Sequence, residues 1–332
     1  MQKALIIQTA FLGDVILATP IIEKLKKAYP GINIDFLLKK GNQSLLENHP
    51  HLRKVYLFDK KDKWNSFWKL NGQIRKEKYN LVINLHRHFS SGMFSVLSGA
   101  DQIIGFDKNP LSFFYHRKYA HRFEPDSMLH EIERNQTLLS ELIDEEILMP
   151  KLYPTEDDYH AAKWDKPYVC ICPASVWYTK QWPVSNWINL IDKIPEHYDV
   201  ILSGGPADRE LCDEIVAGVN RKGVYNKSGD YTMLESIALI AKATMNYVND
   251  SAPLHMASAM NAPVAAVFCS TIPGFGFYPL SDQSKVFETP KKLSCRPCGI
   301  HGRKSCPEGH FSCVKMDHEP MIDWLFRADA KK

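Results

Sequence analysis

The sequence predicts an α/β chain of two doubly wound halves, and three observations predict it. Short apolar, β-rich runs alternate with segments whose apolar residues recur at helical spacing. The runs are apolar throughout, as expected of parallel strands covered on both faces. The alternation pauses once, over residues 149–166, where Pro150, Pro154 and Glu156-Asp157-Asp158 interrupt it, and it restarts at Pro167-Tyr168. The halves are therefore placed at residues 1–155 and 156–332, each long enough to enclose its own core.

In chain order the expected strands are Ala4 to Gln8, Ile32 to Leu38 and Leu81 to Leu85, then Tyr168 to Cys172, Val200 to Ser203, Met245 to Val248 and Val264 to Cys269. Between the first two, Val15, Ile16, Ile22 and Leu25 mark one helix over Val15 to Ala28, stopped by Pro30-Gly31. With 41 basic and 38 acidic residues the net charge is only +3, so a nucleic-acid partner is not expected and any anion site must be local. Met1-Gln2-Lys3 runs into an apolar stretch too short for a signal segment, and no run approaches the roughly 18 residues of a membrane span. A cytoplasmic protein is expected. The terminal Lys331-Lys332 reads as a solvated tail.

Chemistry is expected beyond the carboxyl ends of the strands, where open α/β sheets bind ligands. The first strand empties into Thr9-Ala10-Phe11-Leu12-Gly13-Asp14, a turn with neither the dinucleotide nor the Walker glycine pattern. Asp14 is either a helix cap or a base facing a crevice. Tyr168 to Cys172 leads into a segment holding Thr179 and Lys180 between Trp177 and Trp182; the ammonium either meets a phosphate or is a surface charge beside packed rings. Gly204-Gly205-Pro206-Ala207-Asp208 lets backbone approach a ligand and sets a carboxylate within reach of ribose hydroxyls. Asn249-Asp250-Ser251-Ala252-Pro253-Leu254-His255 opens a helix whose N–H groups suit an anion, and His255, one turn inside, either reaches a phosphate or is a satisfied interior histidine. After the third strand His86-Arg87-His88 either offers basic groups for an anionic lipid core or is a single ordered Arg with two helix-capping histidines, and residues 64–79, with Trp64, Phe67, Trp68, Lys69, Arg75, Lys76 and Lys78, form either a helix packed on its own domain or a contact with an anionic membrane surface.

Leu12-Gly13-Asp14-Val15, His130-Glu131-x-x-Arg134-Asn135, Pro173-x-Ser175 through Thr179-Lys180-x-Trp182-Pro183, Ser203-Gly204-Gly205-Pro206 and Asn249-Asp250-Ser251-x-Pro253-Leu254-His255 stand in this order along nearly the whole chain. In order and spacing they resemble the heptosyltransferases of glycosyltransferase family 9, which use ADP-heptose in bacterial lipopolysaccharide core assembly. The resemblance implies a GT-B fold, two Rossmann-like domains facing across a cleft, the first holding a lipid-linked saccharide acceptor and the second a nucleotide-sugar donor. It implies that Asp14, beside Gly13, is the catalytic base, that Lys180, beside Thr179, contacts the diphosphate, and that Asp250, Ser251, Ala252, Pro253, Leu254 and His255 form the donor-binding helix start. Gly204 and Asp208 fall near the nucleoside, and His86 and Arg87 on the acceptor side. Ala174 and Ala252 stand where the family often has glycine, which sets the backbone about one methyl further from a diphosphate.

The implied reaction needs a base for an acceptor hydroxyl and a stabilised diphosphate leaving group. A carboxylate with an ordinary pKa near about 4 is expected to serve without tuning. No Asp-x-Asp occurs in the chain, so inverting transfer with no catalytic cofactor or metal is expected. The rival readings are the same fold with another donor sugar, and a glycan- or nucleotide-sugar-binding protein without activity. Peripheral contact at the inner membrane face would suit a lipid-linked acceptor. Four of the eight cysteines, Cys295, Cys298, Cys306 and Cys313, crowd one Pro- and Gly-rich loop; in a reducing compartment they read as a structural zinc site, with redox-active or unpaired thiols and disulfides as alternatives.

Overall fold

A computed structural model describes residues 1–144 and 146–330; the Lys331-Lys332 tail lies outside the described residues. The first sheet consists of β1 (Lys3–Ile7), β2 (Asn33–Lys39), β3 (Leu52–Phe58), β4 (Leu81–Asn84), β5 (Gln102–Phe106) and β6 (Arg117–Tyr119), in the order β3-β2-β1-β4-β5-β6. All its pairings are parallel. The second consists of β7 (Tyr168–Cys172), β8 (Asp199–Leu202), β9 (Val224–Asn226), β10 (Met245–Asn249), β11 (Val264–Phe268) and β12 (Ser284–Glu288), in the order β12-β11-β10-β7-β8-β9, also all parallel. Counted from its own first strand, each sheet has the order 3-2-1-4-5-6. The strand order therefore reverses between β1 and β4 and between β7 and β10, and crevices open at the carboxyl ends of these pairs.

Each expected strand is present to within about a residue at its ends. Five others escaped the sequence reading, for local reasons. β6 and β9 have three residues each, β3 and β12 are edge strands that expose charged side chains, and β5 is interrupted by Gly105. A Cβ at Gly105 would lie 2.7 Å from the Tyr115 ring and 2.8 Å from the Asn84 carbonyl, so only glycine fits there. The single helix expected over Val15 to Ala28 is two, Leu12–Ile16 and Thr19–Ala28. Pro20 lies in the first turn of the second, where its missing N–H costs nothing, and Thr19 Oγ1 donates to Ile16 O (2.8 Å) across the break.

The edge of the first sheet carries an irregularity. Ile34 pairs with Leu52 but Asp35 with Lys54, which leaves Arg53 as an extra residue in β3. Its guanidinium returns to the fully buried Asp35 in a bidentate pair, Nε to Oδ1 at 2.9 Å and Nη2 to Oδ2 at 2.5 Å, and the Tyr79 hydroxyl donates to the same carboxylate. In the second sheet, buried Trp182 meets Trp187 edge to face at 4.9 Å and donates its indole N–H to Val314 O. Trp182 is thus a core residue, and only the other side of its segment faces outward.

The chain divides into two compact units, Met1–Phe123 with His130–Tyr153, and Glu124–Leu129 with Pro154 onward. The excursion at 124–129 has no counterpart in the sequence reading. It packs on the second unit, where Tyr278 Oη donates to Met128 O and Gly274 lies so close to Pro125 that a Cβ would fall 2.6 Å from its carbonyl oxygen. Among the described residues no helix is long and apolar enough to cross a membrane.

Candidate active site

In the first unit the site is built on the ends of β1 and β4. Asp14 lies in the short helix beyond β1, and its Oδ2 accepts the Phe11 N–H at 3.1 Å. It therefore does cap its own turn. Its carboxyl is nevertheless pushed up to about 6, first by burial and then by the charge of Glu131, against the opposing effects of the Phe11 and Asp14 backbone N–H groups and Arg87. The expectation of an untuned carboxylate is thus overturned. Gly13, its neighbour, is half-buried.

Glu131 is the group that sequence reasoning quoted but gave no task. It accepts from Arg134 Nε at 2.8 Å and lies 3.0 Å from His121 Nε2, with the Arg134 guanidinium over the Phe123 ring. Burial alone would raise Glu131, but the bond from His121 and the charges of His121 and Arg134 hold it below the usual range. A fixed anion thus stands near Asp14. Asn135 of the same motif donates to Leu17 O at 3.1 Å, which ties this helix to the break between the first two.

His86 does not fill the basic role expected of it. It is buried, paired with Thr9 Oγ1 through Nδ1 at 2.9 Å, and driven down to about 3 by burial and then by His88, Lys60 and Arg87. At neutral pH it is an uncharged prop. His88 is lowered too, by burial and by Lys60 and Arg87. The cationic groups are instead the exposed Arg87 and a set that motif reading missed. Lys60 is lowered by burial and by the neighbouring charges of Lys39 and Lys63, so Lys39, Lys60, Lys63 and Arg87 gather at the ends of β2, β3 and β4. The helix Lys63–Glu77 packs on its own sheet through Phe67, Leu70 and Ile74, while Trp64 and Trp68 point outward, 56% and 59% exposed.

In the second unit the turns after β7 and β10 meet. Lys180 Nζ lies 2.6 Å from Asp250 Oδ2, both side chains largely buried, and the same oxygen accepts from Thr271 Oγ1 at 2.6 Å. Asn249, the last residue of β10, donates to Pro173 O (2.6 Å) and accepts from Trp182 N (3.1 Å), bolting the Lys180 segment to this strand. Thr179 is buried and receives the Ser270 hydroxyl at 3.0 Å and the Arg303 N–H at 2.7 Å. The lysine is a held ammonium at a strand exit and not a loose surface charge.

The helix beginning at Ala252 is capped by extended Ser251. Ala252 and Pro253 are half-buried at its start. Leu254 does not suit a ligand contact: its side chain is fully buried and its N–H is bonded to Ser251 O. His255 is buried beside the Phe277 ring. Asp208 holds its own turn, accepting the Gly205 N–H at 2.8 Å, and a Cβ at Gly204 would strike that carboxylate at 2.8 Å. Gly204 is therefore required by Asp208 as much as by any ligand.

The four tail cysteines do not form the tetrahedral set expected for zinc. Cys313 is buried within the apolar core of the second unit, Cys295 Sγ lies 3.9 Å from His310 Nε2, and Cys298 Sγ lies 3.5 Å from Cys295 O. Among the described residues no three His, Cys, Asp or Glu side chains are arranged to hold a metal. Burial and then the neighbouring Cys295 and Cys306 push the Cys298 thiol up.

Comparison with known proteins gives the family and the fold. The profile described as glycosyltransferase family 9 (heptosyltransferase) matches residues 67–309. Lipopolysaccharide heptosyltransferase 3 of Escherichia coli is 28% identical over 281 residues, 79% of this chain and 82% of that protein. Lipopolysaccharide heptosyltransferase 1 of Pseudomonas aeruginosa is 26% identical over 324 residues, 90% of this chain and 86% of that protein. The solved structure of the E. coli ADP-heptose lipopolysaccharide heptosyltransferase II superposes with a TM-score of 0.81 at 21% identity, over 99% of each chain. With two six-stranded parallel sheets of this order and the family profile spanning most of its length, the chain is a GT-B glycosyltransferase and belongs to glycosyltransferase family 9, the heptosyltransferases.

Proposed function

We propose that this enzyme transfers heptose from ADP-heptose to a lipopolysaccharide core saccharide, with inversion and without a catalytic metal. The observation that carries the reading is the Asp14 carboxyl, placed beyond β1 with its pKa raised to about 6. Such a group is mostly ionised at neutral pH and is a stronger proton acceptor than an ordinary aspartate. It takes the proton of the acceptor hydroxyl as the new bond forms. The Lys180 ammonium, held by Asp250, offsets the charge that develops on the departing diphosphate. The cations Lys39, Lys60, Lys63 and Arg87 suit the anionic groups of a core saccharide. Outward Trp64 and Trp68, next to Lys61 and Lys63, support peripheral contact with an anionic membrane surface at the cytoplasmic face. The names of the similar proteins supply the sugar and acceptor class.

The test is transfer by purified protein from ADP-heptose to lipopolysaccharide that lacks the heptose, with ADP release and the anomeric configuration of the new linkage followed by NMR. Retention of configuration would refute the direct displacement, and loss of activity in chelator would refute metal independence. Turnover of GDP- or UDP-sugars in preference to ADP-heptose would refute the donor.

A further inference from the structure

The Cys-rich tail has no part in the chemistry just described, yet its first residues grip the donor turn. At the crest of β11 four successive carbonyls point toward this segment. Arg296, with a side chain 11% exposed, donates from Nε to Cys269 O at 2.7 Å and from Nη2 to Phe268 O at 3.2 Å and Thr271 O at 2.7 Å. The Cys298 N–H fills the remaining one, Ser270 O, at 2.9 Å. Glu288, at the end of β12, accepts from the same Nη2 at 2.6 Å.

What this clamp holds is the turn whose two hydroxyls bond Asp250, the partner of Lys180, and Thr179, its neighbour. Thr271 Oγ1 donates to the Asp250 oxygen that binds Lys180, and Ser270 Oγ donates to Thr179 next to that lysine. Further along the tail, Gly302 sits against the Lys180 stem, where a Cβ would lie 3.1 Å from Cγ. A guanidinium bonded to several carbonyls has few alternative positions, and the residues between it and the ammonium are buried and hydrogen-bonded throughout. We infer that Arg296 is a positioning residue for the donor site, acting through Thr271 and Asp250 to hold the Lys180 ammonium in place. The inference rests on reading Lys180 as the diphosphate contact, but its geometry is independent of that reading.

The experiment measures acetylation of Lys180 by an amine-reactive ester, as a ratio to Lys285 of the same unit, by peptide mass spectrometry on the full-length protein. A buried, ion-paired ammonium reacts slowly. Arg296→Gln should speed the Lys180 reaction relative to Lys285 by at least about threefold, because the ion pair with Asp250 opens more often once Thr271 is no longer held, and Arg296→Lys should restore part of the protection. Thr271→Val, which leaves the clamp but removes the hydroxyl, should act in the same direction and serves if Arg296→Gln does not fold. An unchanged ratio in a folded variant, or equal acceleration at both lysines, overturns the inference, the latter because it reports general loosening. A parallel ADP titration should show affinity reduced about tenfold in Arg296→Gln and little further loss when Lys180→Ala is added; equal, additive losses would overturn the relay. Should the unaltered protein bind no ADP, the donor reading fails while the lysine ratio still decides the clamp.

Discussion

Replacing Asp14 by Asn separates its chemical task from its structural one. Asn keeps an oxygen to accept the Phe11 N–H, so the turn is preserved and only the charge is lost. The rise of the carboxyl from 3.8 to about 6 means that the fold favours its neutral form, by about 3 kcal/mol at about 1.4 kcal/mol per tenfold change in the constant. The sign follows by linkage. Below pH 3.8 the group is protonated in both folded and unfolded chains and contributes nothing; as pH rises to about 6 the unfolded chain gives up the proton first, so the folded state loses stability. Above about 6 the full cost is present. Asp14→Asn should therefore unfold at higher denaturant than the unaltered protein at pH 7.5, by up to about 3 kcal/mol, and the advantage should shrink toward zero near pH 4. Heptosyl transfer should fall about 10²-fold or more at pH 7.5, with ADP affinity little changed. For the unaltered enzyme kcat/KM should rise about tenfold per pH unit up to about 6 and then level, while the residual rate of the variant lacks this step. A variant no more stable at pH 7.5 than the parent would refute the stored cost, and near-normal turnover would return Asp14 to the role of a cap.

Lys180→Ala should weaken ADP binding and turnover together, because the ammonium acts on the diphosphate before and during departure and its loss leaves Asp250 buried beside Thr271 alone; unchanged isothermal titration and rates would show a bystander. Lys60→Ala with Lys63→Ala should raise KM for an anionic acceptor and flatten its dependence on salt, with ADP affinity unaltered, and a loss confined to ADP binding would place the cluster wrongly. Gly204→Ala should cost about 1–2 kcal/mol of stability, since the new methyl displaces Asp208 from its turn; a neutral melting shift would count against that tight fit. Titration of native, reduced protein with a thiol reagent should find three accessible thiols, Cys295, Cys298 and Cys306, and five protected ones. Protection of all eight, with a stoichiometric metal released on unfolding, would show that the tail closes around an ion after all.

The switch-point turns were legible because the strands feeding them are buried on both faces and so read as unbroken apolar runs. β7 is recovered residue for residue, and it delivers Lys180 where a ligand site is expected. The strands that lie at sheet edges give no such signal: β3 spends Arg53 and Lys54 on solvent and ion pairs. Within the site, residue type carried the reading only as far as single turns. That Asp14 feels the charge of Glu131 depends on the fold bringing together residues more than a hundred apart in the chain, and that His86 is neutral depends on its burial beside Thr9. Neither is a property of a local motif. Arg296 stood between two cysteines that drew attention to metal, whereas its guanidinium serves backbone carbonyls that no pattern of side chains discloses.

The unmatched Arg53 in β3 has a consequence for how this edge can vary. A buried carboxylate at Asp35 and an extra residue in the neighbouring strand satisfy each other, so neither is tolerable alone. Deleting Arg53 would flatten the pairing but strand a negative charge against Tyr79; replacing Asp35 by an apolar residue would leave a guanidinium leaning on Glu77. The two positions are therefore coupled, and Tyr56 and Phe58 stay facing inward only while Lys54 to Phe58 keep their present register against Asp35 to Lys39.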